Sequence, residues 1–478
     1  MGWQRMARWP VVVTVAPRAA AGRARLTAAL PLVLAWAGAC ASPAAPPAAP
    51  PAPAGGGPAV ERPPAGDSPA AAGPLAAYVE EASSLATDPR VREAFRVVEA
   101  LQPRTRRDHI TLTEIPAPPF AEGARARHYA GMLREAGADT VWIDAEGNVL
   151  ALRRGRTEGG ALVLSGHLDT VFPEGTDVTV RVRGDTLHAP GVGDDTRGLM
   201  VVLTVLRAME AAGLETERDV LFVGTVGEEG LGDLRGVKHL FRDGGPAIAS
   251  FISIDGSGDE RVTHQALGSR RYRAIVGGPG GHSWGAFGTA NPAHALGRAI
   301  RLFDERAAAY VAEGPRTSYN VGVIGGGTSV NSVPFEAWME VDMRSVDDDR
   351  LRGIDALFRR TVREAVAAQS TERARGDSLT VELRLVGDRP SGEIAPDDAL
   401  VQRAMAAIAR FGLRPAPGRS STDANIPISR GIPAVTLGGG GEGSGAHSLH
   451  EWWLDRDSHI AIQRTLLVVL AQAGLAGS

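Results

Sequence analysis

Four apolar runs of the chain are separated by stretches with helical periodicity. The runs are ALVLSG (161–166), DVLFVGTV (219–226), ASFISI (249–254) and PAVTLGGG (433–440). Short continuous apolar runs that alternate with helices are typical of buried strands in a sheet that helices cover. The pattern therefore predicts an α/β fold.

Side chains that bind metals follow the predicted strands. A turn before a predicted helix adds two more, so the full set is His167, Asp169, Asp194, Asp195, Glu228, Glu229, Asp255 and His447. Ligands bind beyond the carboxyl ends of the strands in open α/β sheets, so we expect these side chains to meet. Imidazoles and carboxylates suit zinc, manganese or cobalt. This many carboxylates could neutralise two divalent ions that activate water for hydrolysis.

The pattern changes between residues 268 and 387. The predicted strands here are 270–278, 317–328 and 337–346, and the predicted helices are 291–314 and 349–369. Such a stretch predicts a smaller α+β domain inserted into the main one. The main domain then consists of residues 76–267 and 388–478.

The first 75 residues predict an export signal and a spacer. Arginines precede a short apolar core at 26–39, which predicts a signal peptide over residues 1–40. Ala-Gly-Ala before Cys40 resembles a bacterial lipoprotein signal, in which Cys40 becomes lipidated; cleavage after Ala41 is the alternative. Residues 41–75 hold 11 of the 32 prolines, which predicts a disordered spacer. We therefore expect the protein in the periplasm or cell envelope on a lipid anchor, or alternatively secreted.

The composition excludes two kinds of site. Cys40 is the only cysteine, so neither an internal disulfide nor a zinc site built on several thiolates can form. The net charge of -4 gives no basic footprint for nucleic acid, and we expect no such partner.

Six motifs resemble a known family in their order. They are GHLDTV (166–171), GVGDDTRG (191–198), GEEG (227–230), the strand ending at Asp255, GGHS (280–283) and AHSLHEW (446–452). They are similar to the dizinc metallopeptidase superfamily of peptidase T, glutamate carboxypeptidase, acetylornithine deacetylase and succinyl-diaminopimelate desuccinylase. GDDTRG and GEEGLGD look closest to the peptidase-T-like branch. The resemblance implies a zinc-exopeptidase catalytic domain with a mixed central sheet flanked by helices, and an inserted α+β lid that dimerises.

The resemblance also implies two zinc ions per chain, with cobalt or manganese as alternatives. His167 and Asp255 would bind one ion, Glu229 and His447 the other, and Asp194 would bridge them.

Two of these ligand assignments have an alternative in a nearby residue. Asp195 is the alternative to Asp194 as the bridge, and His450 competes with His447. The family pattern of a histidine followed four positions later by glutamate favours His447, because Glu451 then completes it.

Further roles come from the same resemblance. Glu228 would be the general base and Asp169 would orient His167. His282 would stabilise the oxyanion, either from its own chain or from a partner subunit. Asn331 and Arg344 would contact the substrate, the latter through a carboxylate.

A rival hypothesis uses Gly281-His282-Ser283-Trp284-Gly285 as the nucleophile elbow of a serine hydrolase, with Asp423 and His447 following in order. Glycines 277, 278, 280 and 281 interrupt the buried strand that such an elbow requires. The hypothesis also leaves the carboxylates after the strands without a role. A catalytically inactive binding module is a third class, and the complete set of ligands and base argues against it.

The sequence thus predicts an exported, zinc-dependent exopeptidase that acts on short peptides as a di- or tripeptide aminopeptidase. A carboxypeptidase and an N-acyl-amino-acid deacylase are the alternatives. We expect a homodimer through the lid, and membrane contact only through the lipid anchor.

Overall fold

The computed structural model describes residues 72–477. The predicted signal peptide and Cys40 lie outside them. The helices are α1 (Ala72–Thr87), α2 (Pro89–Ala100), α3 (Gln102–Thr113), α4 (Gly123–Glu135), α5 (Thr196–Ala211), α6 (Arg235–Leu240), α7 (Pro292–Val311), α8 (Asp348–Thr371), α9 (Ala399–Arg410), α10 (Asn425–Ser429) and α11 (His459–Ala473). Helix α1 begins within the last residues of the predicted spacer.

The strands are β1 (Thr140–Ile143), β2 (Val149–Arg153), β3 (Ala161–His167), β4 (Arg181–Arg183), β5 (Thr186–His188), β6 (Val220–Thr225), β7 (Ile248–Ile254), β8 (Arg261–Ala266), β9 (Gly268–Gly277), β10 (Gly281–His282), β11 (Thr317–Gly326), β12 (Ser332–Val333), β13 (Glu336–Ser345), β14 (Thr380–Arg389), β15 (Gly392–Glu393), β16 (Ala416–Ser420), β17 (Ala434–Leu437), β18 (Glu442–Ser444) and β19 (Trp452–Leu454).

The central sheet is mixed, which confirms the predicted fold class. Its strands run in the order β1-β2-β6-β3-β7-β17-β8-β15, and β16 also pairs with β8. The neighbours β6, β3, β7 and β17 are parallel, whereas β1, β2 and β15 pair in antiparallel fashion. Every residue of β3 and of β6 is buried, because helices such as α5 and α11 pack against this part of the sheet.

The smaller sheet has the order β11-β13-β9-β14 and is antiparallel throughout. Along most of β9 and β13 buried residues, which are mainly apolar, alternate with half-buried ones, which are mainly polar, as expected for a sheet with one covered face. The covered face packs on α7 and α8 around Phe303 and Phe358. We call this unit, β9 to β14 with α7 and α8, the lid. Strand β14 crosses position 387, the predicted end of the inserted domain.

Some elements have no counterpart in the sequence prediction. Among them are α1, α3, α6, α9, α11, β8, β14, β16 and a small sheet of β18-β19-β5-β4. Within residues 72–477, no helix combines the length and apolar character needed to cross a membrane.

Candidate metal centre

The predicted ligands lie at the carboxyl ends of parallel strands in the central sheet. Strand β3 ends at His167, the pair Glu228 and Glu229 follows β6, and Asp255 follows β7. A cavity of about 260 Å³ is lined by Asp194, Glu228, Glu229, Asp255 and His447, together with Ser420, Ser421 and the guanidinium groups of Arg261, Arg271, Arg344 and Arg389. Most of the predicted site residues therefore share one cavity.

Asp194 lies between two histidines. Its Oδ1 is 3.0 Å from Nε2 of His167, and its Oδ2 is 3.3 Å from Nε2 of His447. The same nitrogen of His447 is 2.9 Å from Oε1 of Glu229. Potential ligand atoms of His167, Asp194 and Glu229 lie within 4.8 Å of one another. A carboxylate with one oxygen beside each histidine is placed as a ligand that bridges two ions would be.

Asp195 has a different task from Asp194. Its carboxylate is buried and accepts hydrogen bonds from the backbone nitrogens of His167 at 3.0 Å and Gly198 at 3.1 Å. It is thus the N-cap of α5, and it fastens that helix to the end of β3. Both of its oxygens are engaged, which leaves Asp194 as the carboxylate directed at the histidines.

The contacts of Asp169 differ from the predicted ones. Nδ1 of His167 is 3.0 Å from the main-chain oxygen of Asp169 but 3.8 Å from its carboxylate, too far for a hydrogen bond. The buried carboxylate instead accepts from the backbone nitrogens of Glu228 at 3.0 Å and Glu229 at 2.8 Å. Asp169 therefore orients His167 through its main chain and fixes the Glu228–Glu229 turn through its side chain.

Glu228 is buried beside the cluster and is bound by an arginine. Its Oε1 accepts from Nη1 of Arg389 at 2.9 Å. Burial raises the pKa of Glu228 well above its usual value; the charge of Arg389 lowers it, and that of Glu229 raises it again. A buried carboxyl with a raised pKa suits a group that must accept and then release a proton.

The carboxylates of the cluster favour the binding of cations. Burial alone would lower the pKa of His167, but the hydrogen bond to Asp194 and the charge of Asp195 raise it well above its usual value. Hydrogen bonds to Asp194 and Glu229 raise the pKa of His447 to about 10. Burial raises the pKa of Asp255, and the charge of Asp194 adds to this effect. The carboxylates around the two imidazoles thus favour positive charge at this place, and the donor set of imidazoles and carboxylates fits divalent metals such as zinc.

Glu451 supports the turn that carries Asp194, and the sequence did not assign it this role. Its buried carboxylate accepts from the backbone nitrogens of Gly191 at 2.7 Å, Gly193 at 2.8 Å and Asp194 at 2.9 Å. The only signal in the sequence was its position four residues after His447. Arg389 was missed as well, and no signal pointed to it.

The three residues predicted to contact the substrate do not lie together. Arg344 lines the cavity from β13, whereas His282 and Asn331 are exposed in the β10–β12 region and are absent from its lining. Nδ1 of His282 accepts from the backbone nitrogen of Trp284 at 3.2 Å. Oδ1 of Asn331 accepts from the Ser329 hydroxyl at 2.6 Å.

The serine-hydrolase hypothesis finds no catalytic triad among the described residues. Ser283 is exposed in the turn after β10, and Asp423 is buried and accepts from the Thr225 hydroxyl at 2.5 Å. The imidazole of His447 contacts carboxylates, and no hydrogen bond joins it to Ser283 or Asp423. A triad requires both of those bonds. His450, the competitor of His447, is exposed and lines a different cavity with Glu451.

Two curated relatives match part of the chain. A succinyl-diaminopimelate desuccinylase from Corynebacterium glutamicum is 26% identical over 238 residues, which cover 49% of this chain and 64% of the relative. A carboxypeptidase G2 from Pseudomonas sp. is 26% identical over 143 residues, which cover 29% of this chain and 34% of the relative. The chain therefore spans less than two thirds of the length of these relatives.

A solved structure shares the fold over most of the described residues. The aminopeptidase PepT of Bacillus cereus superposes with a TM-score of 0.60 at 20% identity, covering 77% of this chain and 98% of that one. The family model described as Peptidase family M20/M25/M40 matches residues 163–472, which contain every motif quoted above. The family resemblance of the motifs is thereby confirmed, and the chain belongs to the peptidase family M20/M25/M40.

Proposed function

We propose that this protein is an exported, zinc-dependent exopeptidase that hydrolyses an amide bond in a short peptide. The observation that carries the proposal is the position of Asp194 between His167 and His447, with Glu229 completing the cluster. Membership of a peptidase family supports the reaction class. Export rests on the signal-like sequence before Cys40.

Two zinc ions would be held by His167, Asp194, Glu229, Asp255 and His447, and cobalt or manganese would suit the same donors. When bound, the ions would supply Lewis-acid activation of water and of the scissile carbonyl.

Glu228 is the proton carrier in this proposal. It lies beside the cluster, so it can take a proton from the attacking water onto its carboxylate. The same proton then passes to the nitrogen of the leaving amine as the amide bond breaks. Hydrogen bonds from the backbone nitrogens of Glu228 and Glu229 to Asp169 hold the turn, and Arg389 holds the carboxylate.

The lid supplies the remaining groups, and we propose that a second copy of the chain is needed to do so. His282 is exposed, as are its apolar neighbours Trp284, Phe287 and Val330. Several large apolar side chains exposed near β10 and β12 indicate an interaction surface, and we call these three residues the apolar patch. A homodimer through the lid would cover this patch and bring His282 to the oxyanion in the other copy, with Asn331 beside the substrate.

A carboxypeptidase or N-acyl-amino-acid deacylase is the second candidate function. The peptidase-T-like motifs favour an aminopeptidase on di- or tripeptides, whereas Arg271 and Arg344 in the cavity wall favour a substrate with a free carboxylate. Hydrolysis of one tripeptide panel with free, N-acetylated and C-amidated ends separates the two. A required amine indicates an aminopeptidase, and a required carboxylate indicates the second candidate.

The mechanism is tested by Glu228→Ala. We expect loss of hydrolysis with both metal ions retained, because Glu228 carries the proton and binds no ion. Full activity of that variant would contradict the proposal. Retained activity after chelation, together with inactivation by a serine-directed fluorophosphonate, would revive the serine-hydrolase hypothesis.

The lipid anchor is tested on the full chain expressed in a bacterium. We expect the wild type to partition into detergent and Cys40→Ser to remain in the aqueous phase, since Cys40 is the only thiol. Equal partition of the two proteins would show that Cys40 carries no lipid.

A further inference from the structure

The turn that carries Asp194 is held by hydrogen bonds to its main chain. Glu451 accepts from three of its backbone nitrogens, and the main-chain oxygen of Gly191 accepts from the backbone nitrogen of Thr196 at 3.3 Å and from its hydroxyl at 2.8 Å. Val192 is fully buried, so its main-chain oxygen needs a partner from the protein as well. This partner comes from outside the turn.

His109 on α3 provides the partner. Its Nε2 lies 2.6 Å from the main-chain oxygen of Val192, and the pair is buried. A carbonyl oxygen can only accept, so the ring carries a proton on Nε2, and that nitrogen donates. Nδ1 is buried too, and no hydrogen-bond partner lies beside it within residues 72–477. Burial, together with the charge of Arg197, lowers the pKa of His109 to about 3, so the ring is neutral and its single N–H is committed to Val192.

One peptide group of the turn is thereby held at both ends. The oxygen of Val192 and the nitrogen of Gly193 belong to the same peptide group, which is planar. His109 binds the oxygen, and Glu451 accepts from the nitrogen at 2.8 Å. Gly193 has no side chain to resist rotation of the main chain, so these two bonds fix the direction of the peptide group. The next residue is Asp194, whose backbone nitrogen also donates to Glu451 at 2.9 Å.

The ring of His109 is held in place by its neighbours. It meets the indole ring of Trp453 edge-on, with the ring centroids 5.0 Å apart and an angle of 66° between the planes. Trp453 is buried in β19, two residues after Glu451, and the guanidinium group of Arg197 lies 4.8 Å from its ring centroid. These contacts keep the imidazole in the direction that its bond to Val192 requires.

We infer that His109 is a positioning residue for the metal centre: by binding Val192 it fixes the peptide group that leads into Asp194, and so it directs the carboxylate that would bridge the two ions. His109 does not line the metal cavity, and no hydrogen bond or ion pair within residues 72–477 joins its side chain to a proposed ligand. Its effect therefore passes through the main chain of the turn. This inference rests on the proposed two-ion centre and assigns α3 a part in it.

The test varies the donor at position 109. A glutamine places its amide nitrogen about where Nε2 of a histidine lies, the shorter asparagine places it about where Nδ1 lies, and leucine fills the space without a donor. We expect zinc affinity, measured by competition with a chelating dye, to fall by roughly 10- to 100-fold in His109→Leu and His109→Asn, because groups that orient metal ligands have effects of this size. His109→Gln should stay close to the wild type.

The order of the variants separates positioning from packing. If His109 only filled a buried space, the apolar side chain of His109→Leu would serve better than the amide of His109→Gln, which is costly to bury without a hydrogen bond. Positioning predicts the reverse order.

His128→Leu is the matched control. His128 is an exposed histidine on α4, and its side chain makes no hydrogen bond or ion pair within residues 72–477. This variant should keep the wild-type zinc affinity. Urea unfolding of the metal-free proteins shows which variants fold, and if His109→Leu does not, the comparison of His109→Gln with His109→Asn decides, since these two differ only in the reach of the amide.

The outcomes separate the inference from the centre on which it rests. A wild-type protein that binds no zinc would contradict the proposed metal centre. Equal zinc affinity in the wild type, His109→Leu and His109→Asn would overturn this inference alone. A loss in His109→Gln as large as in His109→Asn, or tighter zinc binding by His109→Leu than by His109→Gln, would show that His109 acts through packing and would overturn the inference too.

Discussion

Arg389 binds both the side chain and the main chain of Glu228. Nη1 lies 2.9 Å from Oε1, and Nη2 donates to the main-chain oxygen of the same residue. Only 4% of the surface of Arg389 is exposed, so the pair forms away from water. A buried charge that loses its partner costs about 3–5 kcal/mol. The ionised form of the predicted general base therefore depends on this arginine.

Replacing Arg389 with methionine should lower kcat/KM by roughly 10²- to 10³-fold, because Glu228 then favours its protonated form. Removal of a positive charge raises the pKa of a carboxyl, so the acidic limb of the pH profile should move to higher pH. Arg389→Lys should restore part of the activity. Arg384→Met, on the same strand but exposed, is the control. An unshifted acidic limb in Arg389→Met would refute this role.

His447 and His450 provide a matched pair for metal binding. His447→Ala should lose one of the two zinc ions that we propose for each chain, measured by atomic spectroscopy after dialysis, because its imidazole contacts Asp194 and Glu229. His450→Ala should keep the same ions as the wild type, since His450 lines a different cavity and no hydrogen bond or ion pair among residues 72–477 joins its side chain to the cluster. The opposite result would exchange their assignments.

Glu451→Ala should weaken both folding and metal binding. Three backbone nitrogens lose their acceptor; the bonds of Gly191 and Gly193 are buried and that of Asp194 is partly buried. We expect the free energy of unfolding to fall by about 2–4 kcal/mol and zinc affinity to fall by roughly 10- to 100-fold. Glu442→Ala removes an exposed glutamate that pairs with Arg456 and should change neither quantity measurably. Urea unfolding and zinc titration measure the effects, and wild-type values for Glu451→Ala would contradict the prediction.

Asp423 should make the metal-free protein less stable as pH rises. Burial raises its pKa from 3.8 to about 6, so the folded state binds more protons than the unfolded state between these values. Its contribution to stability is therefore complete below about pH 4 and is lost by about pH 6, a change of about 3 kcal/mol.

Asp423→Asn should remove this slope from urea unfolding measured across that range. Bound zinc should reduce the slope in the wild type, because a nearby cation favours the ionised carboxylate. The same pH dependence in both proteins would show that another group is responsible.

The sequence predicted the sheet and its ligand-bearing ends because those features are local. Buried strands such as β3 and β6 appear as short apolar runs, and His167 or Glu229 follows such a run directly. The choice of Asp194 over Asp195 came from a motif, and the structure supplies its physical reason in the capping of α5 by Asp195.

The missing parts of the site are contacts between distant segments. Arg389 is 161 residues from Glu228, and Glu451 is 257 residues from Asp194. No periodicity or spacing encodes such pairs, because they depend on how the lid and the last loop pack on the central sheet. The roles of His282 and Asn331 stay predictions, since both are exposed in the single chain.

The loop after β6 is fastened to the lid at three points. Arg389 at the end of β14 binds Glu228, Arg271 on β9 donates to Gly230, and the backbone nitrogen of Asp388 donates to Asp233 at 2.8 Å. The backbone nitrogens of Glu228 and Glu229 also donate to Asp169, which follows β3 of the central sheet. The turn that carries the proton acceptor is therefore clamped between the two domains. The position of the lid thus bears directly on the reacting carboxylate, which makes this turn a mechanical link between the substrate cover and the chemistry.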